Sequence, residues 1–221
     1  MYYCRLFCNL LYSLRRITRC CHKKRELIEA NSSYANPNQR IESVITWNLQ
    51  GLFLFMYERK RKNILYELGL VTQDVICLQE VFEDYLKEDI IHHMKHTHPY
   101  YLMGNTHKKY IVGDDSGLLV LSKYPIQFVK EIVLDEALMP DSLANKSILY
   151  FKVGNLNMVN THLQSSNMNQ AEGIAESQVE LLVKQAPFTQ FLICGDLNTN
   201  LGHYFANEPK NNFTPTWRQD I

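Results

Sequence analysis

From residue 43 onward, short apolar runs rich in β-branched residues alternate with longer segments whose apolar residues recur every three or four positions. The first pattern suits a strand, where successive side chains point to opposite faces, and the second places apolar residues on one face of a helix. SVITWN (43–48) predicts a strand. Residues 57–70 predict a helix with Tyr57, Ile64, Leu65 and Leu68 inward, followed by a strand at DVICLQE (74–80) and a second helix across 84–95. SGLLVLS (116–122) predicts a buried strand stopped by Pro125, which has no ladder donor, and residues 126–133 predict the next strand. SILYFKV (147–153) and LNMVNTHL (156–163) flank Gly154-Asn155, a hairpin signal. Met168, Ala171, Ala175, Val179 and Leu182 stand at helical steps within 168–185, and TQFLICGDLN (189–198) predicts a buried strand running into a loop. Many strands, mostly linked by hairpins and interspersed with a few helices, predict an α/β fold: a layered sandwich with mixed sheets.

The first 28 residues follow a different pattern. Tyr3, Phe7, Leu10, Leu14, Ile17 and Cys21 would share one helical face, with Arg5, Asn9, Arg15, Arg16 and Arg19 among them. Arg5 and Asn9 interrupt the apolar run, which makes it a poor signal-peptide core. No window approaches the roughly 18–20 uninterrupted apolar residues that a bilayer span requires. NSSYANPNQR (31–40) is polar and turn-forming. The expected organisation is a leader at 1–28, a linker at 29–40 and one domain over 41–221.

A formal net charge of zero over 221 residues conceals an uneven distribution. The leader holds Arg5, Arg15, Arg16, Arg19, Lys23, Lys24 and Arg25 against Glu26 alone, leaving 16 basic and 22 acidic residues in the remainder, a net of −6. A basic leader on an acidic body points the leader toward an anionic surface. The body lacks the basic footprint of a protein that tracks a nucleic-acid backbone, and its acidity calls for a cation. Four of six cysteines (Cys4, Cys8, Cys20, Cys21) lie in the leader, whereas Cys77 and Cys194 sit in apolar runs and read as buried small hydrophobes. Six cysteines in a chain of this length do not form a disulfide scaffold, which favours a reducing, intracellular compartment.

Four polar signals stand at or near the C-terminal ends of predicted strands: Asn48, Glu80, His162, and the pair Asp196 and Asn198. A rigid sheet can make side chains at such ends converge on one pocket. Carboxylate and amide oxygens are hard ligands suited to Mg²⁺, and an imidazole can move a proton or stabilise charge on a phosphoryl oxygen. The body has no dense His/Cys cluster of the kind zinc prefers. Each residue also has a plainer role open to it: strand-end carboxylate for Glu80, satisfied core group for His162, turn former for Asn48, Asx-turn for Asp196 and Asn198. Asp114 and Asp115, ahead of the SGL strand, read as a solvated loop in preference to an edge of the pocket.

TWNLQG (46–51), LQEVFE (78–83), SGLLVLSKYPI (116–126), NTHLQ (160–164) and GDLNTN (195–200) resemble, in order, the motifs of the endonuclease/exonuclease/phosphatase superfamily. LQEVF, the SGL-to-SKYPI segment and THLQ look most like its neutral sphingomyelinase branch. The resemblance covers roughly 41–220. It implies a DNase I-like fold, a four-layered sandwich of two mixed, mainly antiparallel sheets flanked by helices. It also implies that Glu80 is the principal Mg²⁺ ligand, assisted by Asn48, with Mn²⁺ as a substitute ion. His162 would contact the scissile phosphate, Asp196 would orient or activate the attacking water, and Asn198 would stabilise the transition state. The family closes with a strand carrying an Asp-His pair, and the sequence stops at FTPTWRQDI, where that strand is expected to begin. His203 follows GDLN too closely to fill the role, and His92, His93, His96 and His98 lie in or just after a helix. The expectation is a domain lacking its C-terminal strand and, if 221 residues are the whole polypeptide, one whose general base is absent and whose activity is crippled.

The function implied is hydrolysis of a phospholipid head group, with sphingomyelin foremost. A nuclease of the same fold and a catalytically impaired relic are the alternatives. The leader cysteines beside basic residues suit palmitoylation and peripheral attachment to an anionic membrane. Zinc binding by Cys4, Cys8, Cys20, Cys21 and His22, at spacings that match no common finger pattern, and an unstructured extension are the other readings. Oligomeric state leaves no trace in the sequence.

Overall fold

A computed structural model describes residues 34–51, 58–104, 115–135, 137–139, 141–165 and 169–199. The leader and residues 200–221 lie outside them. Two four-stranded sheets pack face to face. The first has the order β1 (Val44–Asn48), β2 (Val75–Gln79), β4 (Leu119–Ser122), β3 (Tyr100–Met103). The second runs β5 (Ile126–Val133), β6 (Ser147–Val153), β7 (Leu156–His162), β8 (Leu192–Asp196). Helices α1 (Glu58–Leu70) and α2 (Asp84–Met94) cover the first sheet, and α3 (Asn169–Lys184) covers the second. This is the expected four-layered α/β sandwich.

The period of two along each strand sorts the cores. Val75, Cys77 and Val120 meet Leu149, Phe151, Val153 and Met158 in the core between the sheets. Their neighbours Ile76, Leu78, Leu119 and Leu121 turn the other way, onto Ile64 and Leu68 of α1 and Leu86, Ile90 and Met94 of α2. In the second sheet Ile148, Tyr150 and Val159 face Val179 and Leu182 of α3. Fully burying one such side chain contributes about 1.5–3 kcal/mol, so packing attaches these helices even where the sequence is as charged as ERKRKNILYELGL. The predicted inward residues Ile64, Leu68, Ala175, Val179 and Leu182 are buried, and Leu65 is partly so. The side chains of Tyr57, Met168 and Ala171 lie outside those described.

Two pairings are parallel, β1 with β2 and β7 with β8, and the other four are antiparallel. A parallel pair needs a crossover, supplied here by segments containing α1 and α3. Parallel neighbours end on the same edge, which places Asn48 beside Gln79 and His162 beside Asp196.

Three details differ from the sequence reading. The segment YYLM forms the unanticipated strand β3, too short for its own periodicity and ordered by pairing with β4. The strand expected over 116–122 pairs only from Leu119, because Asp115, Ser116 and Gly117 form a buried loop ahead of it. β8 is less buried than its apolar sequence implied: among the described residues it pairs with β7 alone, and Leu192 is 36% exposed.

Candidate active site

The C-terminal ends of β1, β2, β7 and β8 lie together at one edge of the sandwich, so four of the five candidate side chains come from paired strand ends and Asn198 from the loop just beyond. Asn48 joins the two sheets: its Nδ2 donates to Glu80 Oε1 at 2.8 Å and to Asp196 Oδ2 at 3.0 Å. The Asn48 Oδ1 accepts from the Gln50 N–H at 2.9 Å, which fixes the amide's orientation. His162 Nε2 stands 3.8 Å from Glu80 Oε1. Asn198 turns back on Asp196, its N–H donating to Oδ1 at 3.2 Å, while its Nδ2 donates to the Leu163 carbonyl at 3.1 Å. The Asx-turn that the sequence allowed is therefore present, and it holds both residues at the same rim.

Backbone geometry sets these positions as much as the strands do. Glu80 has φ +57°, Gln50 +49° and Asn198 +50°. Left-handed conformations in non-glycine residues cost about 1–3 kcal/mol and persist where the surroundings over-determine them. Close approach does part of this work. A Cβ on Gly51 would lie 2.2 Å from the Glu80 carbonyl oxygen, and one on Gly195 (φ +138°) would lie 2.0 Å from that of Thr161. Only glycine lets the 51 and 195 backbones come that near.

Directly beneath the rim, polar side chains cross the inter-sheet core. Gln79 Nε2 donates to Thr46 Oγ1 at 3.0 Å and to Asn160 Oδ1 at 2.8 Å, and Asn160 Nδ2 donates to the Leu78 carbonyl at 3.2 Å. Buried amides bonded in this way specify one register, since any slip would strand them unpaired. The residue after Gln79 is Glu80, and two after Asn160 comes His162, so the brace sets the two halves of the site against each other.

Sequence reasoning missed a buried cation beside these groups. Lys146 Nζ pairs with Asp141 Oδ1 at 3.1 Å and donates to the Leu163 carbonyl at 2.7 Å. Asp141 Oδ2 also accepts from Gln164 Nε2 at 2.8 Å and from the Ser165 N–H at 2.7 Å. Burial pushes the Lys146 pKa down, partly offset by the negative charges of Asp141, Glu80 and Asp196. The segment PDSLANKS carries no periodic signal, and only the 3₁₀ turn at Asp141–Leu143 brings its acid and base together. Asp115, expected in a solvated loop, is instead 1% exposed. Lys87 neutralises it, so the loop is a packed one; Asp114 lies outside the described residues.

Burial holds His162 down at about 4, with the Lys146 charge acting in the same direction and Asp196 and Asp141 opposing it. The imidazole is therefore neutral at pH 7. Above its ordinary value of 6.5 this neutral, buried form contributes its full stability, which is lost as pH falls toward about 4, because the unfolded chain takes up the proton first. Urea unfolding at pH 7 and pH 4.5 is expected to show wild type losing on the order of 2–3 kcal/mol more than His162→Asn. Equal losses in both proteins would refute the assignment. Asp141 and Asp74, whose pKa values are lowered, act below 3.8, outside this window.

The donor set is two carboxylates and an amide, all hard oxygens, meeting where like charges converge. That chemistry fits Mg²⁺, which takes one or two protein carboxylates and otherwise keeps water. Among the described residues no three His, Cys, Asp or Glu side chains group as a metal cage, which is the pattern of a closed transition-metal site.

The sequence profile of the Endonuclease/Exonuclease/phosphatase family matches residues 45–220. A sphingomyelinase C from Bacillus cereus is 25% identical over 157 residues, 58% of this chain and 46% of that protein. A phospholipase C from Staphylococcus aureus is 24% identical over 169 residues, 65% of this chain and 51% of that one. The chain thus spans about half the length of the curated relatives it matches. Among solved structures, sphingomyelinase C from Streptomyces griseocarneus superposes with a TM-score of 0.61 at 19% identity, covering 80% of this chain and 72% of that one. A beta toxin variant from Staphylococcus aureus with bound magnesium ions does so at 0.58 and 19% identity, covering 74% and 67%. These structural likenesses concern the fold, and the profile match over most of the chain settles kinship: this protein belongs to the endonuclease/exonuclease/phosphatase family.

Proposed function

We propose that the chain is a Mg²⁺-dependent phosphodiesterase that hydrolyses phospholipid head groups, sphingomyelin foremost. The observation that carries this reading is that Glu80 and Asp196, 116 positions apart, accept hydrogen bonds from the same amide nitrogen. The names of the sphingomyelinase C and phospholipase C relatives support the substrate class, and the magnesium ions bound to the beta toxin support the metal.

Glu80 would hold the cation with the Asn48 Oδ1, whose second lone pair is available beyond its bond to Gln50. The bound ion supplies neutralisation of charge on the phosphate oxygens. Asp196 would orient the attacking water, with one carboxylate oxygen tied to Asn48 and the other to the Asn198 N–H. His162, neutral and fixed between the sheets, would hydrogen-bond a non-bridging oxygen of the scissile phosphate through Nε2. Asn198 would stabilise the same transition state once its Nδ2 leaves the Leu163 carbonyl. The basic leader with Cys4, Cys8, Cys20 and Cys21 would attach the enzyme to an anionic intracellular membrane surface.

Incubation of the full chain with Mg²⁺ and either sphingomyelin vesicles or plasmid DNA tests this. Release of phosphocholine with intact DNA is the expected result. DNA cleavage without lipid hydrolysis would replace the reading with a nuclease.

A further inference from the structure

The segment that bears Glu80 is clamped from a direction the proposed reaction does not use. Lys87 on α2 and Asp115 ahead of β4 are each about 2% exposed, and Lys87 Nζ meets both Asp115 oxygens at 2.7 and 2.6 Å. Asp115 Oδ1 accepts in addition from the Gly117 N–H at 2.9 Å. The Gly117 carbonyl in turn accepts from the Val81 N–H at 2.8 Å, on the peptide that leaves Glu80. Phe82 closes the same contact, since a Cβ on Gly117 would lie 2.7 Å from its ring. The route from the ion pair to Glu80 is thus two hydrogen bonds, joined through the backbone of Gly117, and the Glu80–Val81 peptide. It ends at a residue whose φ of +57° only its surroundings maintain.

We propose that Asp115, held by Lys87, is a positioning residue for the cation ligand Glu80, acting through Gly117 and Val81. The inference rests on the reading of Glu80 as a metal ligand given above. Stability alone does not explain the pair. Burying two charges costs as much as their attraction returns, and apolar pairs of similar volume commonly replace such bridges without loss of stability. What an apolar pair cannot do is accept the Gly117 N–H. Groups that orient metal ligands from behind typically change metal affinity by about 10–100-fold when removed.

The test compares the full-length wild type with Lys87→Met/Asp115→Leu. Mn²⁺ affinity is read from the electron paramagnetic resonance of the free ion, and amide exchange from NMR of the metal-free proteins. The variant is expected to fold, to bind Mn²⁺ about tenfold or more weakly, and to exchange the Val81 amide about tenfold faster with Ile76 unchanged. Val81 exchange within about twofold of wild type would overturn the proposal whatever the Mn²⁺ result. Faster Val81 exchange with unchanged Mn²⁺ affinity would overturn it too, leaving the pair a structural clasp. A wild type that binds no Mn²⁺ would sink the metal reading alone, and the Val81 amide would then decide whether the latch exists. Should that variant not fold, Lys87→Met/Asp115→Asn, which removes both charges together and keeps only a neutral acceptor for the Gly117 N–H, carries the same comparison with an expected effect of about threefold, and less than about twofold overturns the proposal.

Discussion

Glu80→Gln is expected to lower phosphodiester hydrolysis by about 10³-fold or more while leaving the fold intact. The substitution preserves volume and one carbonyl oxygen, so the Asn48 Nδ2 keeps an acceptor at the 2.8 Å position. It removes the negative charge, which is what a hard divalent ion binds. Mn²⁺ affinity should fall together with turnover, whereas the denaturation midpoint should stay close to that of wild type. Hydrolysis is best followed with a chromogenic diester as well as sphingomyelin, so that loss of lipid docking is not mistaken for loss of chemistry. A variant retaining more than about a tenth of wild-type turnover would remove Glu80 from the centre of the site.

The second large effect concerns stability. Lys146→Met is expected to destabilise the domain by about 3–5 kcal/mol, the usual cost of breaking a buried pair by deleting one partner. Lys146 is 3% exposed, and its removal leaves the Asp141 carboxylate bonded to Gln164 and Ser165 but without a countercharge. The Leu163 carbonyl keeps its bond from Asn198 and loses the shorter one from Lys146. An electrostatic consequence separates this from simple loss of packing. The Lys146 charge is one of the causes that hold His162 down near 4, so its deletion should raise the histidine's pKa. The stability lost between pH 7 and pH 4.5 should then be smaller in the variant than in wild type. Chemical denaturation at both pH values, with NMR titration of His162, measures the two effects together. An unchanged midpoint and an unchanged titration would show that Lys146 is a bystander.

Much of the molecule was legible along the chain because its central strands, β2, β4, β6 and β7, are largely buried on both faces. A continuous run such as DVICL leaves few alternatives to a central strand, and the helices carry a clear stripe where they meet a sheet. β3 was not legible, because four residues cannot show a period and their strand character comes from β4. β8 read as more buried than it is, since apolar residues look alike at the centre of a sheet and in a strand that, among the described residues, pairs on one side only. The candidate residues Asn48, Glu80, His162, Asp196 and Asn198 could be read because each stands at or just past a strand end, a position visible in one dimension. Lys146 with Asp141, and Lys87 with Asp115, could not be read in that way. In each case an ordinary charged residue acquires its meaning from a partner brought in by a 3₁₀ turn or a neighbouring helix.

Local sequence thus determined most of the elements and the polar residues that stand at their ends, because side-chain periodicity and turn chemistry act over a few positions. Which of those residues meet, and in what ionisation state, was decided only by the packing of the sheets. Parallel β1/β2 and β7/β8 pairs bring four chain segments to one rim, and burial beside Lys146 leaves His162 neutral. Desolvation and convergence depend on atoms far apart along the chain, and no local pattern of residues records them.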